Sequence, residues 1–411
     1  MKILEINVFN YKKGGSEAVY FNTTKLLAEH GHEVVNFALK WSENLPSKFD
    51  KYFPESKETR SGVLRPIKNI LTYFYHPEAA AKLEKLILAE KPDIAQVHLI
   101  WGQLTPSILS VLKKHKIPAV LTIHDYRLVC PAFLFRNGKG EVCEQCQGKH
   151  FTKCISNACC KGSKGLSVMM AAEQYFRNTF FNPAKYVTGL LYVSDFSKSI
   201  HEKYMPALKE LPSLQLYNMA QNIDNASEYA NNDSYFLYFG RLSSEKGVGT
   251  VIDAFSRRQE LKLIVVGTGP EENALKELAA SRHADNIKFV GYKSGAELEN
   301  IVRGAKMILV PSECYENNPM TIIEAYSFGI PAIGARIGGV PEIVVEGKTG
   351  FQFESGNPES LCAALDKAAK SNETAFKEMS ENALAFAKEN FEKEQYYSKL
   401  IKFFESLVNK S

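Results

Sequence analysis

Two apolar patterns alternate along almost the whole chain. One is a short run of consecutive apolar residues, the mark of a strand buried on both faces; the other has apolar residues recurring at helical spacing. In the first half "KILEINVF", "HEVVNFAL", "DIAQVHL", "PAVLTIH" and "YVTGLLYVS" are strand runs, and "SEAVYFNTTKLLAEH" is the first helix, stopped by Gly31. The alternation breaks at "MAQNIDNASEYANND", residues 219–233, which is rich in Asn and poor in aliphatics and reads as a linker. It then resumes with the strands "SYFLYFG", "LKLIVVG", "IKFVGY" and "KMILVPS", and with the helices "VGTVIDAF" and "PEENALKELAASR". The pattern predicts an α/β chain of two Rossmann-like, doubly wound parallel-sheet domains, 1–220 and 234–388, facing a cleft. A helical segment, 389–411, packs back across them. In such sheets ligands sit beyond the carboxyl ends of the strands.

Composition agrees and adds one asymmetry. A chain of 411 residues suits two domains, and 45% hydrophobic with 23% charged residues describes a folded chain. No apolar stretch is long enough to span a bilayer. "MKILEINVFN" carries Glu5 and Asn7 inside its apolar run and has no cleavage pattern, so it reads as a strand, and the expected compartment is the cytoplasm. Residues 1–225 hold 29 Lys+Arg against 20 Asp+Glu, and the remainder 21 against 26, which together give the net +4. A basic first half suits anionic substrates or the inner face of a membrane, and equally an ordinary solvated surface. No basic stripe is interleaved with aromatics, so nucleic acid is not an expected partner.

The candidate chemistry starts from "CYENNPMTIIEAYSFGIP", residues 314–331. Asn318 is placed as the helix N-cap and Pro319 as the first helical residue, leaving the amides of Met320 and Thr321 to face an anion. Glu324 then lies more than a turn inside an apolar run, where a carboxylate needs a hydrogen-bonding partner from the core or from a ligand. A ligand with phosphate at the helix start and vicinal hydroxyls alongside would satisfy both features. Arg241 and Lys246, in "YFGRLSSEKG", follow a strand directly and suit a diphosphate, although surface charge is the bland alternative. Gly14 and Gly15 lie between the first strand and the first helix, where glycine admits close backbone approach. "GTGPEEN" lacks the third glycine of a dinucleotide fingerprint. His124, in "LTIHDY", ends a strand where it can donate to or accept from a sugar hydroxyl, or simply serve the structure.

Six of the eight cysteines fall in a Cys-rich insertion, 130–165. With disulfides disfavoured in the cytoplasm, Cys143 and Cys146 form a first pair that Cys154 and Cys159 would complete as a structural zinc tetrahedron. Free thiols in an irregular loop are the other reading. The insertion follows His124 and is expected to shape an acceptor site.

Taken in order, "GRLSSEKGV", "VPSECYENNPMTIIEAYSFGIPAIGARIGGVPEIV" and "GKTGFQF" resemble a family 4 glycosyltransferase of the GT-B fold, and the resemblance runs over essentially the whole chain. The family's E-x7-E motif matches Glu316 and Glu324. The resemblance implies that Glu316 touches donor-sugar hydroxyls or lies near the reacting centre, and that Glu324 touches the nucleotide ribose. It places Arg241 and Lys246 on the donor diphosphate, Gly15 in the loop that closes over it, and His124 beside the donor sugar. It also implies sugar transfer with retention and no catalytic metal. The expected reaction is transfer from a UDP- or GDP-linked donor to a glycan or lipid-linked acceptor in cell-surface polysaccharide synthesis, the lipid link being suggested by the charge asymmetry and the lack of a spanning run. Asn317-Asn318 stands where many members carry Gly-Phe, a departure that bears on the sugar pocket. The rival readings are a nucleotide-sugar epimerase on the same fold, a phosphorylase, for which no pyridoxal-binding lysine motif stands out, and a non-catalytic nucleotide-sugar binding protein.

Overall fold

A computed structural model of the chain describes residues 1–59, 65–223 and 235–409. Most of the expected linker, 224–233, lies outside the described residues. The chain divides into two units, residues 1–139, 143–217 and 394–411 in one and residues 140–142 and 218–393 in the other.

The first unit is built on a six-stranded, wholly parallel sheet of order β2-β1-β3-β4-β5-β6. Its strands are β1 (Lys2–Ile6), β2 (Glu33–Phe37), β3 (Ile94–Val97), β4 (Ala119–Ile123), β5 (Gly189–Tyr192) and β6 (Ser213–Gln215). β3, β4 and β5 are buried along their whole length, as the continuous apolar runs require of strands covered on both faces. β1 is an inner strand next to the edge strand β2, pairing Ile3 with Val34 on one side and with Ile94 on the other.

The second unit repeats the plan in the order β12-β11-β10-β7-β8-β9. Here the strands are β7 (Phe236–Phe239), β8 (Leu263–Val266), β9 (Ile287–Phe289), β10 (Met307–Val310), β11 (Ala332–Ala335) and β12 (Gly350–Phe353). Its core gathers Leu242, Val251, Phe255, Val265, Met307, Leu309, Ile333 and Phe353 around the sheet.

The helix Glu373–Asn390 ends within the second unit, and from Glu394 the chain groups with the first. In the last helix, Lys393–Val408, Tyr396, Leu400, Phe404 and Leu407 are buried. Tyr396 Oη meets Thr23 Oγ1 at 3.3 Å, and the rings of Tyr397 and His30 stack with centroids 3.7 Å apart. Among the described residues no helix is long and apolar enough to cross a membrane.

Candidate functional site

In the second unit β7 delivers Arg241 just beyond its carboxyl end, and a turn at Ser244–Lys246 carries Lys246. Beyond β10 come Ser312 and Glu316. The structure joins two of these segments: Lys246 Nζ lies 2.5 Å from Glu316 Oε1, and the Ser312 hydroxyl donates to the same oxygen at 2.6 Å. Burial opposes charge on both partners. Attraction to Glu316 nevertheless raises the Lys246 pKa, and the ammonium, with the two hydrogen bonds, holds Glu316 below the usual carboxylate range. The pair is therefore ionised at neutral pH.

Glycine fixes the backbone beneath that pair. Gly338, at φ +59°, leaves no room for a side chain: a Cβ there would stand 2.3 Å from the carbonyl oxygen of Glu316. Next to it, the Gly339 N–H donates to that carbonyl at 2.7 Å. Gly338→Ala is expected to cost about 1–3 kcal/mol of stability by strain and overlap. Urea melts and turnover of the variant check this, and an unchanged midpoint with unchanged turnover would contradict it. Gly267, the first glycine of "GTGPEEN", plays a similar part, because a Cβ there would meet the Gly240 carbonyl oxygen at 1.9 Å. That motif packs the loop after β8 against the one bearing Arg241.

The helix itself corrects one expectation. It runs Met320–Tyr326, with Pro319 outside it at φ −63°, ψ 118°, so Asn318 is not the cap. Asn318 is buried instead, its Oδ1 accepting from the Asn218 backbone N–H at 2.7 Å. A partner one hundred positions upstream outcompetes the local capping role. Met320 and Thr321 are the first helical residues, so their N–H groups have no intrahelical acceptor. Ile322, Ile323, Ala325 and Tyr326 turn into the core, whereas Glu324 turns out and is exposed, not buried as its apolar neighbours in sequence suggested. Its carboxyl makes no hydrogen bond or ion pair with the described residues, and the protein packed behind it pushes its pKa up to about 7. Arg241 is exposed too, and neither it nor Glu324 forms an ion pair or hydrogen bond with the Lys246–Glu316 pair.

In the first unit the chemistry gathers at the carboxyl ends of three adjacent strands. His124, just past β4, has its Nε2 2.8 Å from Nδ1 of His98, just past β3. His98 Nε2 in turn lies 2.9 Å from Oε2 of Glu5 in β1. Glu5 and His98 were not singled out from the sequence, although a Glu inside "KILEINVF" and a His inside "DIAQVHL" were visible there. The loop that follows His124 is clamped from below by the buried Arg177. Its guanidinium is paired with Glu173 at 2.8 Å and donates to the carbonyls of Arg127 and Leu128. Tyr126 of the same loop stacks on the buried His201, with ring centroids 5.5 Å apart.

Gly14 and Gly15 are exposed at the start of the helix Gly15–Glu29. The φ of Gly14, −167°, is extended backbone that any residue adopts, so conformation alone does not call for glycine there.

The cysteine-rich stretch is largely irregular, with a short helix at Thr152–Ser156 and a longer one, Lys164–Phe180, after it. All eight cysteines of the chain are free. Cys154 Sγ lies 3.9 Å from Cys160 Sγ, while Cys143 Sγ accepts from Asn157 Nδ2 at 3.8 Å. Among the described residues no three His, Cys, Asp or Glu side chains are grouped to hold a metal ion. The four cysteines of the expected tetrahedron, Cys143, Cys146, Cys154 and Cys159, do not form such a group: Cys154 shares hydrogen bonds with both Cys159 and Cys160, and Cys143 accepts from the Asn157 amide.

Two six-stranded parallel sheets, each flanked by helices, define the GT-B class. HepE from Anabaena, solved in complex with UDP-glucose, has this fold and superposes with a TM-score of 0.66 at 17% identity, covering 99% of this chain and 100% of that one. Residues 219–386 match the model of the glycosyl transferases group 1, and residues 13–139 match that of glycosyltransferase family 4. Through these two regions the chain belongs to the group 1 and family 4 glycosyltransferases. The sulfoquinovosyl transferase of Arabidopsis thaliana is 31% identical over 31% of this chain and 25% of its own length. A lipopolysaccharide 1,2-N-acetylglucosaminetransferase of Salmonella typhimurium is 26% identical over 48% of this chain and 58% of its own. The chain thus spans less than two thirds of either relative.

Proposed function

We propose that the protein transfers a sugar, with retention of configuration, from a UDP- or GDP-linked donor to a hydroxyl of a glycan or lipid-linked acceptor in cell-surface polysaccharide synthesis. The observation that carries this reading is the ionised Lys246–Glu316 pair beyond the carboxyl ends of β7 and β10, in a unit that also bears Arg241 and Glu324, whose side chains have no hydrogen bond or ion pair among the described residues. As the bond to the leaving diphosphate breaks, negative charge grows on its oxygens, and Lys246 and Arg241 are the cations suited to balance it. The Glu316 carboxylate, already held in place, accepts from hydroxyls of the donor sugar. Glu324 accepts from the vicinal hydroxyls of the ribose. The names of the Salmonella and Anabaena proteins support this choice of acceptor and donor class. The basic first half of the chain is assigned to the inner membrane face, where a lipid-linked acceptor would be met.

A panel of UDP- and GDP-sugars read by thermal shift is expected to single out one donor that raises the melting temperature by a few degrees, since a ligand that binds only the folded state stabilises it by mass action. NMR of the product's anomeric centre then reads retention, and flotation with anionic liposomes reads the membrane contact. Donor turnover with no acceptor present would make the protein an epimerase instead. Binding without turnover in the presence of glycan acceptors would make it a binding protein.

A further inference from the structure

The helix Lys164–Phe180 of the first unit is turned inside out. Apart from Lys164 its charged residues are Glu173 and Arg177, and both are buried and paired with each other. Its exposed stripe runs through Lys164, Val168, Ala172, Tyr175 and Thr179, spaced three and four apart as one helical face requires. Val168 is 49% exposed, and Phe180, in the last turn, 63%. A surface helix ordinarily does the reverse, sending its charges to water and its apolar residues inward.

A second helix, Arg65–Phe74, widens this surface. The hydroxyl of its Tyr73 donates to Met170 Sδ at 2.6 Å, and its Phe74 ring meets Phe176 edge-on with centroids 5.6 Å apart. So anchored, it leaves Ile70 56% and Leu71 63% exposed. Single apolar side chains at a surface need no explanation, but a run of them shared by two packed helices marks a contact.

The charge around that run has one sign. Between Glu144 and Asp195 the only acidic residue is Glu173, whose charge Arg177 answers. The other charged residues of the stretch are Lys149, Lys153, Lys161, Lys164 and Lys185, all exposed. They flank the apolar run at its ends. Lys161 and Lys164 stand at the start of the helix Lys164–Phe180. Lys149 and Lys153 bracket Phe151, whose ring meets that of Tyr175 with centroids 5.0 Å apart. Lys185 precedes Tyr186, which packs on Phe181, and the Lys113 ammonium lies 5.3 Å from the Tyr186 ring centroid. Apolar side chains between lysines, with no exposed carboxylate, are what an anionic lipid surface takes up. A protein partner needs directional pairing, about one hydrogen bond per 100–200 Å², and beyond Lys164 the stripe offers only the hydroxyls of Tyr175 and Thr179.

We propose that the outward faces of these two helices seat in the headgroup boundary of an anionic membrane, with Leu71, Val168 and Phe180 entering the acyl region and the lysines meeting lipid phosphates. This gives the membrane contact of the preceding section a definite face. It rests on that reading only for the idea that a lipid-borne acceptor is met there.

The test floats the full chain with vesicles of phosphatidylcholine, alone or mixed with phosphatidylglycerol. The wild type is expected on the mixed vesicles, and salt weakens this binding without abolishing it, because only the lysine contribution is screened. Leu71→Ser combined with Phe180→Ser should lower the partition coefficient about tenfold or more, since two large apolar side chains no longer leave water. Each of Lys161→Gln and Lys164→Gln should lower it about fivefold on the mixed vesicles. The substituted positions are exposed, so urea midpoints should stay at the wild-type value. In Phe180→Trp the emission should move to the blue on mixed vesicles and be quenched by brominated acyl chains, against a constant background from the buried Trp41 and Trp101.

A wild type that does not float overturns the proposal, and so does flotation that the Leu71 and Phe180 changes leave untouched, which would put the contact elsewhere on the basic first half. Self-association in place of flotation, abolished by the same changes, would give the face to a second copy of the chain and overturn it too. Transfer to a water-soluble glycan is expected to survive these changes. Sugar transfer without flotation refutes the lipid face and spares the transferase reading. Flotation as described without sugar transfer does the opposite.

Discussion

Lys246→Ala is expected to lower turnover by about 10²–10³, the usual size of effect when one preorganised group facing developing charge is removed. The same change removes the counter-charge of Glu316 and leaves the Ser312 hydroxyl on that oxygen. A buried pair broken on one side costs more than the pair was worth, because the remaining charge is left uncompensated. Lys246 is a third exposed, with 33% of its side chain accessible, so solvent tempers the loss to about 1–3 kcal/mol. Lys246→Ala combined with Glu316→Gln should recover most of that stability and none of the turnover, which separates the structural from the chemical role. The checks are kcat at saturating donor and urea midpoints of the two single variants and the double variant. Turnover of Lys246→Ala within threefold of wild type would remove Lys246 from the chemistry.

Donor affinity is expected to weaken as the pH falls below about 7. With its pKa near 7, Glu324 is about half ionised there, and on the proposed reading only the ionised form accepts through both oxygens from the two vicinal ribose hydroxyls. A ligand that binds the carboxylate competes with the proton, so the dissociation constant rises toward tenfold per pH unit on the acid side and levels off on the alkaline side. The donor's own diphosphate stays charged throughout this window. Glu324→Gln should bind more weakly at pH 8 and show no such dependence. Calorimetric titrations from pH 5.5 to 8.5 measure both curves. Parallel curves for the wild type and Glu324→Gln would take Glu324 out of the donor site.

The sheets were largely legible in the sequence because both-face burial writes itself as continuous apolar runs, and nine of the strands fall inside runs read that way. β6, β11 and β12 escaped for a physical reason. The first has three half-buried residues, and in the other two Gly334 and Gly350 interrupt or open the apolar run that marks the remaining strands. From the sequence Lys246 was expected on the donor diphosphate and Glu316 on the donor sugar; their direct ion pair was not foreseen, because it depends on how the loops after β7 and β10 meet. Asn318 misled, because local capping chemistry was visible in the sequence and its distant partner Asn218 was not. The outward turn of Glu324 was hidden similarly: a helix of seven residues is too short for its buried stripe to be read from periodicity. Glu5 and His98 were visible only as polar residues inside apolar runs. Their alignment depends on the register of β1 beside β3 and β3 beside β4, which is not written in any single segment.

The order in which the polypeptide is made has a consequence for the last helix. Residues 394–411 complete the first unit, and a methyl group on Gly189 of β5 would collide with Leu407 at 2.8 Å, so closely does that helix lie against the sheet. During translation the amino-terminal half therefore waits, with the seats of Tyr396, Leu400, Phe404 and Leu407 unfilled, until the 176 intervening residues, 218–393, have left the ribosome. Nascent chains stalled before residue 394 should bind holdase chaperones through the first unit, even though its sheet strands have all been synthesised.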